Sequence, residues 1–416
     1  MKRCVYIVLL SCSVGFAQDF ELDNSILNET AAGARPAAMG RAFTALSNDP
    51  AALAWNPAGL VRFNRNCATI SGSLNFGNIN VSPENPLAKT SEFSAHRTGG
   101  LGLNTIGFTI PIPHQKLDIV SSVIIHNLVD LNDDVTYKRQ DSDDNGIRDY
   151  RVNSSGGIFS LSPGIGVMIL QDLFCGAALN FITGSHKRRF ENRVQNENIV
   201  TETWESWENK FSGFRVDFGF IWQVSKQTSL GSRIVFPYSL RYADIQSSNS
   251  NDQRREYDLD VALFLPASFS AGIAITLTKD FLFAFDYRFK PWQKIKVKID
   301  DLETDRVFAS AHSFHMGIEY IIRTASYDLP WRFGFFSNPE QLFEYSSETP
   351  DNRGDQVSAH YVSGGMGIST RHFIFNITAD YKFLQFKTVI PSFGSDLFDL
   401  RSSVYRITFG TQIYLD

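Results

Sequence analysis

The chain has 416 residues and a formal net charge of −5, and it contains 35 Phe and 14 Tyr but only 5 Met. This mildly acidic balance offers no basic surface of the kind that nucleic acids bind, so we expect no nucleic-acid partner. Beyond the N-terminal 17 residues no apolar run is long enough to cross a bilayer as a helix, which excludes a membrane protein built from helices.

The first residues have the features of an export signal. Lys2 and Arg3 precede an apolar stretch from Cys4 to Phe16, and small residues lead to a cleavage site near Ala17. We therefore assign residues 1–17 to a cleaved signal peptide and expect the mature chain to begin near residue 18.

Residues 31–60 are rich in Ala, Gly and Pro, and they contain too few large apolar side chains to fold alone. This segment is therefore expected to pack inside another part of the chain. Asp49 is a suitable N-cap and Pro50 a suitable first helical residue, which predicts a short helix that ends at Trp55.

The run Asn56-Pro57-Ala58-Gly59 follows this helix. Asn56 precedes a proline, which favours an extended backbone and a helix end, and Gly59 permits a sharp reversal into the first strand. Two interpretations stay open for Asn56 and Pro57: they only terminate a helix, or the Asn56 amide also fastens the segment to the surrounding wall.

After residue 65 the sequence alternates between apolar and polar residues with a period of two, which is typical of strands. Residues 281–290 show the pattern most clearly: five aromatic side chains share one face, and Asp286, Arg288 and Lys290 lie on the other. We predict strands near 66–76, 100–112, 117–138, 156–170, 173–190, 208–224, 228–243, 254–277, 281–299, 309–323, 330–338, 356–370, 372–389 and 401–415.

Connections after the even-numbered strands are short, and those after the odd-numbered strands are long and polar. A soluble β-sandwich also alternates, but it has no reason to sort its loops in this way, whereas an outer-membrane barrel has short periplasmic turns and long external loops. The fold class we expect is all-β, an antiparallel 14-stranded transmembrane β-barrel over residues 63–416. Because so many strands enclose a wide lumen, we expect residues 18–62 to form a small helical hatch that plugs it.

An external loop carries the spacing of a calcium-binding loop. Its candidate ligands are Asp141, Asp143, Asn145 and Asp149, around a glycine at the sixth position. Position 12 is Val152, so the bidentate glutamate of a complete loop is missing. The alternative interpretation is an acidic, solvated loop, and apart from this calcium site we expect no cofactor.

Lys294, Lys296 and Lys298 continue the register of Lys290 and would form a cationic ladder on the lumen side near the external mouth. Such a ladder could attract the carboxylate of a substrate. The competing interpretation is cross-strand pairing, since folding the preceding hairpin about Lys279 places Asp260 almost opposite Lys298.

Three prolines, Pro163, Pro237 and Pro266, fall within predicted strands and predict bulges or breaks in pairing. The eight histidines are dispersed, and the sequence has no nucleophile motif or metal-ligand spacing among them. We therefore expect a protein that is not an enzyme.

The opening segment also carries a resemblance. Gly33 to Phe43, Asn48 to Ala52 and Trp55 to Leu60 resemble the N-terminal hatch of the FadL/OmpP1/TodX family of outer-membrane transporters. The resemblance implies passive, inward transport of long-chain fatty acids or aromatic hydrocarbons through a plugged barrel. It implies hatch or gating roles for one set of residues: Gly33, Gly40, Asp49, Asn56, Pro57, Ala58 and Gly59.

The same resemblance implies the outer membrane of a Gram-negative-type bacterium as the location, with a hydrophobic ligand and membrane lipid as partners. It also implies a substrate exit through the wall at a kinked third strand, but the predicted third strand has no Gly or Pro over residues 118–127, which puts that exit in doubt. The segment is similar as well to the PorV/PorQ proteins of type IX protein secretion, so a role with secretion-system proteins is the alternative.

Overall fold

The computed structural model describes residues 26–85, 92–113, 118–140, 147–196, 199–250, 253–300, 302–304, 307–347, 349, 352–389 and 396–415. The expected signal peptide and the first residues of the expected hatch lie outside these ranges. The helices are α1 (Ala34–Ala38), α2 (Ala52–Trp55) and two 3₁₀ helices, Pro57–Arg62 and Trp292–Lys294.

Twenty strand segments follow the first three helices. They are β1 (Asn66–Pro83), β2 (Phe93–Thr98), β3 (Gly102–Ile112), β4 (Ile119–Asp130), β5 (Asp133–Gln140), β6 (Ile147–Leu170), β7 (Leu173–Asn196), β8 (Ile199–Gln223), β9 (Thr228–Val235), β10 (Tyr238–Ser250), β11 (Gln253–Leu265), β12 (Ser268–Thr278), β13 (Phe281–Lys290), β14 (Lys296–Ile299), β15 (Leu302–Thr304), β16 (Ala311–Arg323), β17 (Asp328–Tyr345), β18 (Arg353–Ser369), β19 (Phe373–Val389) and β20 (Leu397–Leu415).

The segments form one closed antiparallel barrel of fourteen strands. Six barrel strands consist of two segments each: strand 2 (β2, β3), strand 3 (β4, β5), strand 7 (β9, β10), strand 8 (β11, β12), strand 9 (β13, β14) and strand 10 (β15, β16). β1 pairs with β20 along its whole length, from Asn66 opposite Leu415 to Pro83 opposite Phe398. This pairing closes the barrel and confirms the predicted strand number and fold class.

The two faces of each strand match the period-two pattern. In β13, Asp286 is 1% exposed and faces inward, whereas on the partner strand Phe314 is 48% exposed and faces outward. Large apolar side chains on the outer face, such as Phe214, Phe333 and Phe375, are similarly exposed all around the barrel. This belt is the surface that a barrel presents to the hydrocarbon of a bilayer. Among the described residues, no helix has the length and apolar character needed to span a membrane.

The long external loops were predicted wrongly in one respect: much of each is strand. β7 and β8 reach Asn196 and Ile199, so the supposed loop over 191–207 is a hairpin with strand pairing up to Asn196 opposite Ile199. β10 and β11 likewise pair up to Ser250 opposite Gln253. Above the membrane both faces of a hairpin meet water, so the apolar alternation that marks a strand disappears while the hydrogen-bond ladder continues.

Two of the three prolines break their strands as predicted. Pro237 separates β9 from β10, and Pro266 separates β11 from β12 at the same level, since Tyr238 lies opposite Leu265 and Ser268 opposite Val235. Pro163 differs, because β6 runs through it and pairs it with Val123. On the β7 side the ladder skips from Leu161 to Gly164, so only one side of the strand loses its pairing.

Candidate functional site

Residues 26–62, which we call the hatch segment, lie inside the barrel. The segment is buried almost throughout and contacts wall residues from strands 2 to 14. Its small side chains allow this, because Ala37, Ala38 and Ala52 are each at most 1% exposed and leave room for the main chain to approach the wall. The hatch segment therefore fills the periplasmic half of the lumen, where the short turns lie.

Asn56 joins the hatch segment to two barrel strands at once. Its Nδ2 donates to the carbonyl oxygen of Thr44 at 2.7 Å, of Phe220 at 3.1 Å and of Ser232 at 3.2 Å. Its Oδ1 accepts from the Ala58 amide at 3.1 Å, and its own N–H donates to Ala52 at 2.7 Å. Asn56 therefore ends α2, and its side chain also contacts the wall.

Asp49 is not the N-cap of the helix that the sequence predicted. The helix begins at Ala52, because Asp49 forms an Asx turn in which Oδ1 accepts from the Ala51 amide at 2.9 Å. Its Oδ2 accepts from Gln412 on strand 14, and burial raises the pKa of Asp49. Pro57 and Ala58 open the 3₁₀ helix.

Gly59 does not make the predicted reversal. It lies within the 3₁₀ helix, where a Cβ would stand 2.0 Å from the carbonyl oxygen of Ser47. The residue is therefore needed for close packing inside the hatch segment, since no larger side chain fits between these two stretches of backbone.

Gly33 and Gly40 have positive φ angles of 84° and 58° and so adopt conformations that favour glycine. The Gly33 amide donates to Asn104 at 2.8 Å. At Gly40 a Cβ would stand 2.4 Å from the Met316 carbonyl oxygen. The wall has glycines at the same place: Gly317 lies opposite Gly334, and a Cβ at Gly334 would be 1.9 Å from the Gly40 nitrogen.

Wall side chains hold the hatch segment mainly through its main-chain atoms. Asp286 accepts from the amides of Phe43 and Thr44, both at 2.8 Å. Asn104 donates to the Ala31 carbonyl at 2.8 Å, and Thr378 donates to that of Ala34 at 2.7 Å. A short segment with few large side chains is thus fixed by hydrogen bonds to the wall, since buried backbone groups require partners.

A buried ion pair joins the hatch segment to strands 10 and 11. Arg35 makes two hydrogen bonds to Glu319, each 3.0 Å, and Arg332 donates to the same carboxylate at 2.6 Å. The side chains of Glu319 and Arg332 are 6% and 3% exposed. One carboxylate is therefore shared by two guanidinium groups in a site shielded from water.

A cavity of about 980 Å³ lies between the hatch segment and the external end of the barrel. Trp55 and Arg41 of the hatch segment form part of its floor. Its upper wall is mainly apolar and includes a row of aromatic rings on four neighbouring strands, with centroid separations of 5.1, 4.7 and 5.9 Å along Phe93, Tyr137, Tyr150 and Phe190.

The lower part of the cavity is rich in cationic side chains, among them Arg233, Arg288, Lys290 and Arg406. Arg288 stacks 4.9 Å from the Trp55 ring, and Arg406 donates to Asn75 at 2.7 Å. In the hatch segment, burial lowers the pKa of Arg41 to about 10. The cavity thus combines a mainly apolar upper wall with a floor that carries several cationic side chains beside acidic ones such as Glu29, Asp130 and Asp380.

The wall beside this cavity has a gap in its hydrogen-bond ladder. Strands 2 and 3 pair at Thr98 opposite Asp134 and again at Thr105 opposite His126, but no ladder pair joins residues 99–104 to residues 127–133, all of which the structure describes. Strand 3 is bulged at Leu128 and broken between β4 and β5. The strand is therefore irregular although it has no Gly or Pro at residues 118–127, and an exit for substrate at this strand stays a prediction.

The hatch segment covers this gap from the inside. The Thr30 amide donates to the Leu128 carbonyl oxygen at 2.7 Å. Because of the bulge this oxygen has no partner in the strand ladder, and Thr30 supplies one. The neighbouring residues Ala31 and Gly33 bind the Asn104 side chain on the other side of the gap. Hatch residues 30–33 thus bridge the two edges of the gap.

The lysine ladder does not face the lumen. The 3₁₀ helix Trp292–Lys294 resets the alternation, so that Ile295 and Val297 are buried inside while Lys294 and Lys296 are exposed outside. Lys298 lies opposite Ala262 and Glu303, and Asp260 instead binds Asp300. Both the lumen-side position and the pairing of Lys298 with Asp260 were wrong.

The expected calcium loop cannot be placed as a whole, because Asp141, Asp143 and Asn145 lie outside the described residues. Asp149 is part of β6, where it lies opposite Lys138 and Arg193. In the part of the chain that the structure describes, no group of three or more His, Cys, Asp or Glu side chains could hold a metal ion.

Sequence reasoning missed the wall partners of the hatch segment, above all Asn104, Asp286 and Glu319. Polar residues on the inner face of a strand were the only signal, and that signal does not separate a hatch contact from a lumen-facing side chain. The inward register of Asp286 was read correctly, but its bonds to Phe43 and Thr44 depend on tertiary structure.

The fold agrees with that of solved outer-membrane barrels. A Pseudomonas aeruginosa FadL homologue matches with a TM-score of 0.63 and 12% identity over 92% of this chain and 98% of its own. The Pseudomonas putida toluene transporter TodX matches with a TM-score of 0.66 and 12% identity over 93% and 99%. The Ralstonia pickettii toluene transporter TbuX gives 0.58 and 13% over 94% and 100%.

At these identities the agreement shows the fold alone. No curated protein sequence matches the chain. The BamG family model matches residues 55–332, which is more than half of the chain and spans the end of the hatch segment and most of the barrel. The chain therefore belongs to the BamG family.

Proposed function

We propose that this protein carries hydrophobic small molecules across the outer membrane by passive diffusion, and that its substrates have an apolar tail and an acidic head, as long-chain fatty acids do. The observation that supports this most directly is the two-part cavity, with aromatic rings above and Arg233, Arg288, Lys290 and Arg406 below. A neutral aromatic hydrocarbon would use only the apolar part of this cavity, whereas a ligand with an acidic head would use both parts.

The size of the cavity fits such a ligand. About 980 Å³ is at the upper end of the roughly 300–1,000 Å³ typical of ligand pockets. The aromatic row from Phe93 to Phe190 would take the tail by apolar contact, and the cations near the hatch segment would take the carboxylate by charge-assisted hydrogen bonds.

The gap between strands 2 and 3 supports a sideways exit from the cavity into the membrane. Asn75, Asp130 and Asn132 line the cavity at this place, and hatch residues 30–33 cover the gap. In this proposal the hatch segment withdraws from Leu128 and Asn104, and the ligand passes between the strands without a catalytic step.

Uptake of labelled oleate by cells with and without the gene tests the proposal. We expect several-fold slower uptake without the gene and full recovery when it is restored, and equal uptake in both strains would overturn the proposal. The alternative, a carrier of type IX secretion, predicts instead that deletion abolishes release of secreted proteins and leaves oleate uptake intact.

A further inference from the structure

Basic side chains form a cluster on the outside of the barrel, near its external end. Their neighbours in sequence, such as Phe211, Tyr242 and Val297, are buried inside, so alternation directs the basic residues outward. We call this cluster the external basic patch; it consists of Lys210, Arg241, Lys294, Lys296 and Lys298.

The patch lies directly beyond the apolar belt. On strands 6, 7 and 8 the last large outward apolar side chains are Phe214, Phe236 and Phe264, with exposed fractions of 48%, 47% and 37%. The Nζ of Lys298 stands 5.7 Å from the centre of the Phe264 ring. The ammonium groups therefore lie at the boundary between hydrocarbon and water, where long basic side chains reach lipid headgroups.

The pairing register places two of these side chains, Arg241 and Lys298, on either side of one small residue, Ala262. Arg241 lies opposite Ala262, and Ala262 lies opposite Lys298 on the next strand. The outer strands of this group are about 10 Å apart, so an Arg and a Lys side chain can both reach a group that rests on Ala262. A bulkier residue at position 262 would fill this notch.

The charge of the patch is only partly compensated within the described residues. Lys296 lies 3.2 Å from Glu303, but the side chains are 67% and 56% exposed, and no ion pair joins Arg241 or Lys298 to an acid there. One row farther from the belt the Asp260 amide donates to the Asp300 carboxylate at 3.0 Å, and within the described residues neither carboxylate forms an ion pair with Arg241 or Lys298. Other external basic residues are paired, as Arg401 is with Asp399 at 2.9 Å and Lys387 with Glu84 at 2.5 Å.

We infer that the external basic patch binds the phosphorylated headgroup of a glycolipid in the outer leaflet. The partner must be anionic, must lie at the membrane boundary and must fit above Ala262, and a phosphate at the base of a lipid headgroup meets all three conditions. Arg241 would bind two phosphate oxygens through its planar guanidinium, and Lys298 would add a second charge. This inference is independent of what the lumen carries.

Native mass spectrometry of the detergent-solubilised full chain tests it, with bisphosphorylated lipid A as the probe and the same lipid without phosphates as its counterpart. We expect the phosphorylated form to bind and the counterpart to bind at least tenfold more weakly. The double variant Arg241→Gln/Lys298→Gln should bind the phosphorylated lipid roughly tenfold to thirtyfold more weakly, since each basic residue near a charged membrane surface contributes about 1 kcal/mol.

The matched control is Lys226→Gln/Lys279→Gln, which removes the same charge from two exposed lysines in the periplasmic turns. It should bind as the unchanged protein does. Heat-modifiable migration in gels shows that each variant is a folded barrel. Equal binding of the two lipid forms, or equal loss in the control, would overturn the inference.

Discussion

Gly219 of the barrel faces Asn56 of the hatch segment so closely that a Cβ at position 219 would stand 2.0 Å from the Asn56 Oδ1. The contact places the Asn56 amide within reach of carbonyl oxygens on two strands, at Phe220 and Ser232. Gly219 thus leaves the space that the Asn56 side chain occupies, and a larger residue at position 219 would displace Asn56 from its wall contacts.

Replacement of Asn56 by Asp should release the hatch segment more than replacement by Ala. Alanine removes the donor and leaves buried carbonyls unpaired, at a cost of about 1–3 kcal/mol, whereas a carboxylate places oxygen against oxygen. In planar bilayers we expect Asn56→Ala to raise the fraction of time in a conducting state about tenfold, and Asn56→Asp to raise it further. Asn64→Ala, on an exposed residue just after the segment, should conduct as the unchanged protein does; equal conductance of all three variants would contradict a fastening role.

Replacement of Gly334 by Ala should displace the hatch segment at another point. The new methyl group would meet the Gly40 nitrogen at 1.9 Å, and neither backbone can move far because Gly40 also binds Ser363 and His315. Cells that carry Gly334→Ala should become several-fold more sensitive to a large hydrophilic antibiotic such as vancomycin. Gly102→Ala is the matched control, since nothing lies within 4 Å of its added Cβ. If both variants leave sensitivity unchanged, Gly334 is not part of the seal.

Replacement of Lys290 by Met should weaken binding of a fatty acid but not of its alcohol. Lys290 lines the cavity floor, and its ammonium group stands 4.9 Å from the Trp292 ring. Loss of one hydrogen bond to a charged group predicts roughly tenfold weaker binding of oleate by the purified protein. Oleyl alcohol should change less than about twofold by the same principle. Lys226→Met, in an exposed turn, should change neither, and an equal loss for both ligands would exclude a carboxylate-binding role.

Replacement of Glu319 by Gln should destabilise the protein strongly. It leaves Arg35 and Arg332 buried without a counter-charge, which typically costs about 3–5 kcal/mol. Urea unfolding of the barrel in lipid vesicles measures the change. Glu191→Gln removes one partner of an exposed pair, with Arg189 at 2.7 Å, and should cost less than about 1 kcal/mol. Similar costs for the two variants would show that the Glu319 site is hydrated.

The barrel strands were predicted correctly in the part that crosses the membrane. There one face of each strand meets lipid and the other meets the lumen, so apolar and polar residues must alternate. Residues 281–290 were assigned to the correct faces because one face must meet hydrocarbon and the other the interior. The prediction failed above the membrane, where water on both faces removes the pattern, as in the hairpin of β7 and β8.

Two features not predicted from the sequence have specific physical origins. A single turn of 3₁₀ helix at Trp292–Lys294 shifted the lysines to the outer face, and alternation read through that turn gave the opposite side. The bulge at Leu128 has no Gly or Pro, and its freed carbonyl is instead bound by Thr30, which lies far away in sequence. The small residues of the hatch segment were readable, but their partners on the wall were not.

The wall recognises the hatch segment largely by its main chain, through Asn104, Asp286, Ser363 and Thr378. Besides a suitable backbone shape and small side chains, this binding surface requires two longer side chains, Arg35 and Asn56. A barrel that lacks residues 26–62 should therefore accept that stretch as a separate synthetic peptide, and peptides that differ at other positions should compete for the same place as long as they keep the glycines, the small residues, Arg35 and Asn56.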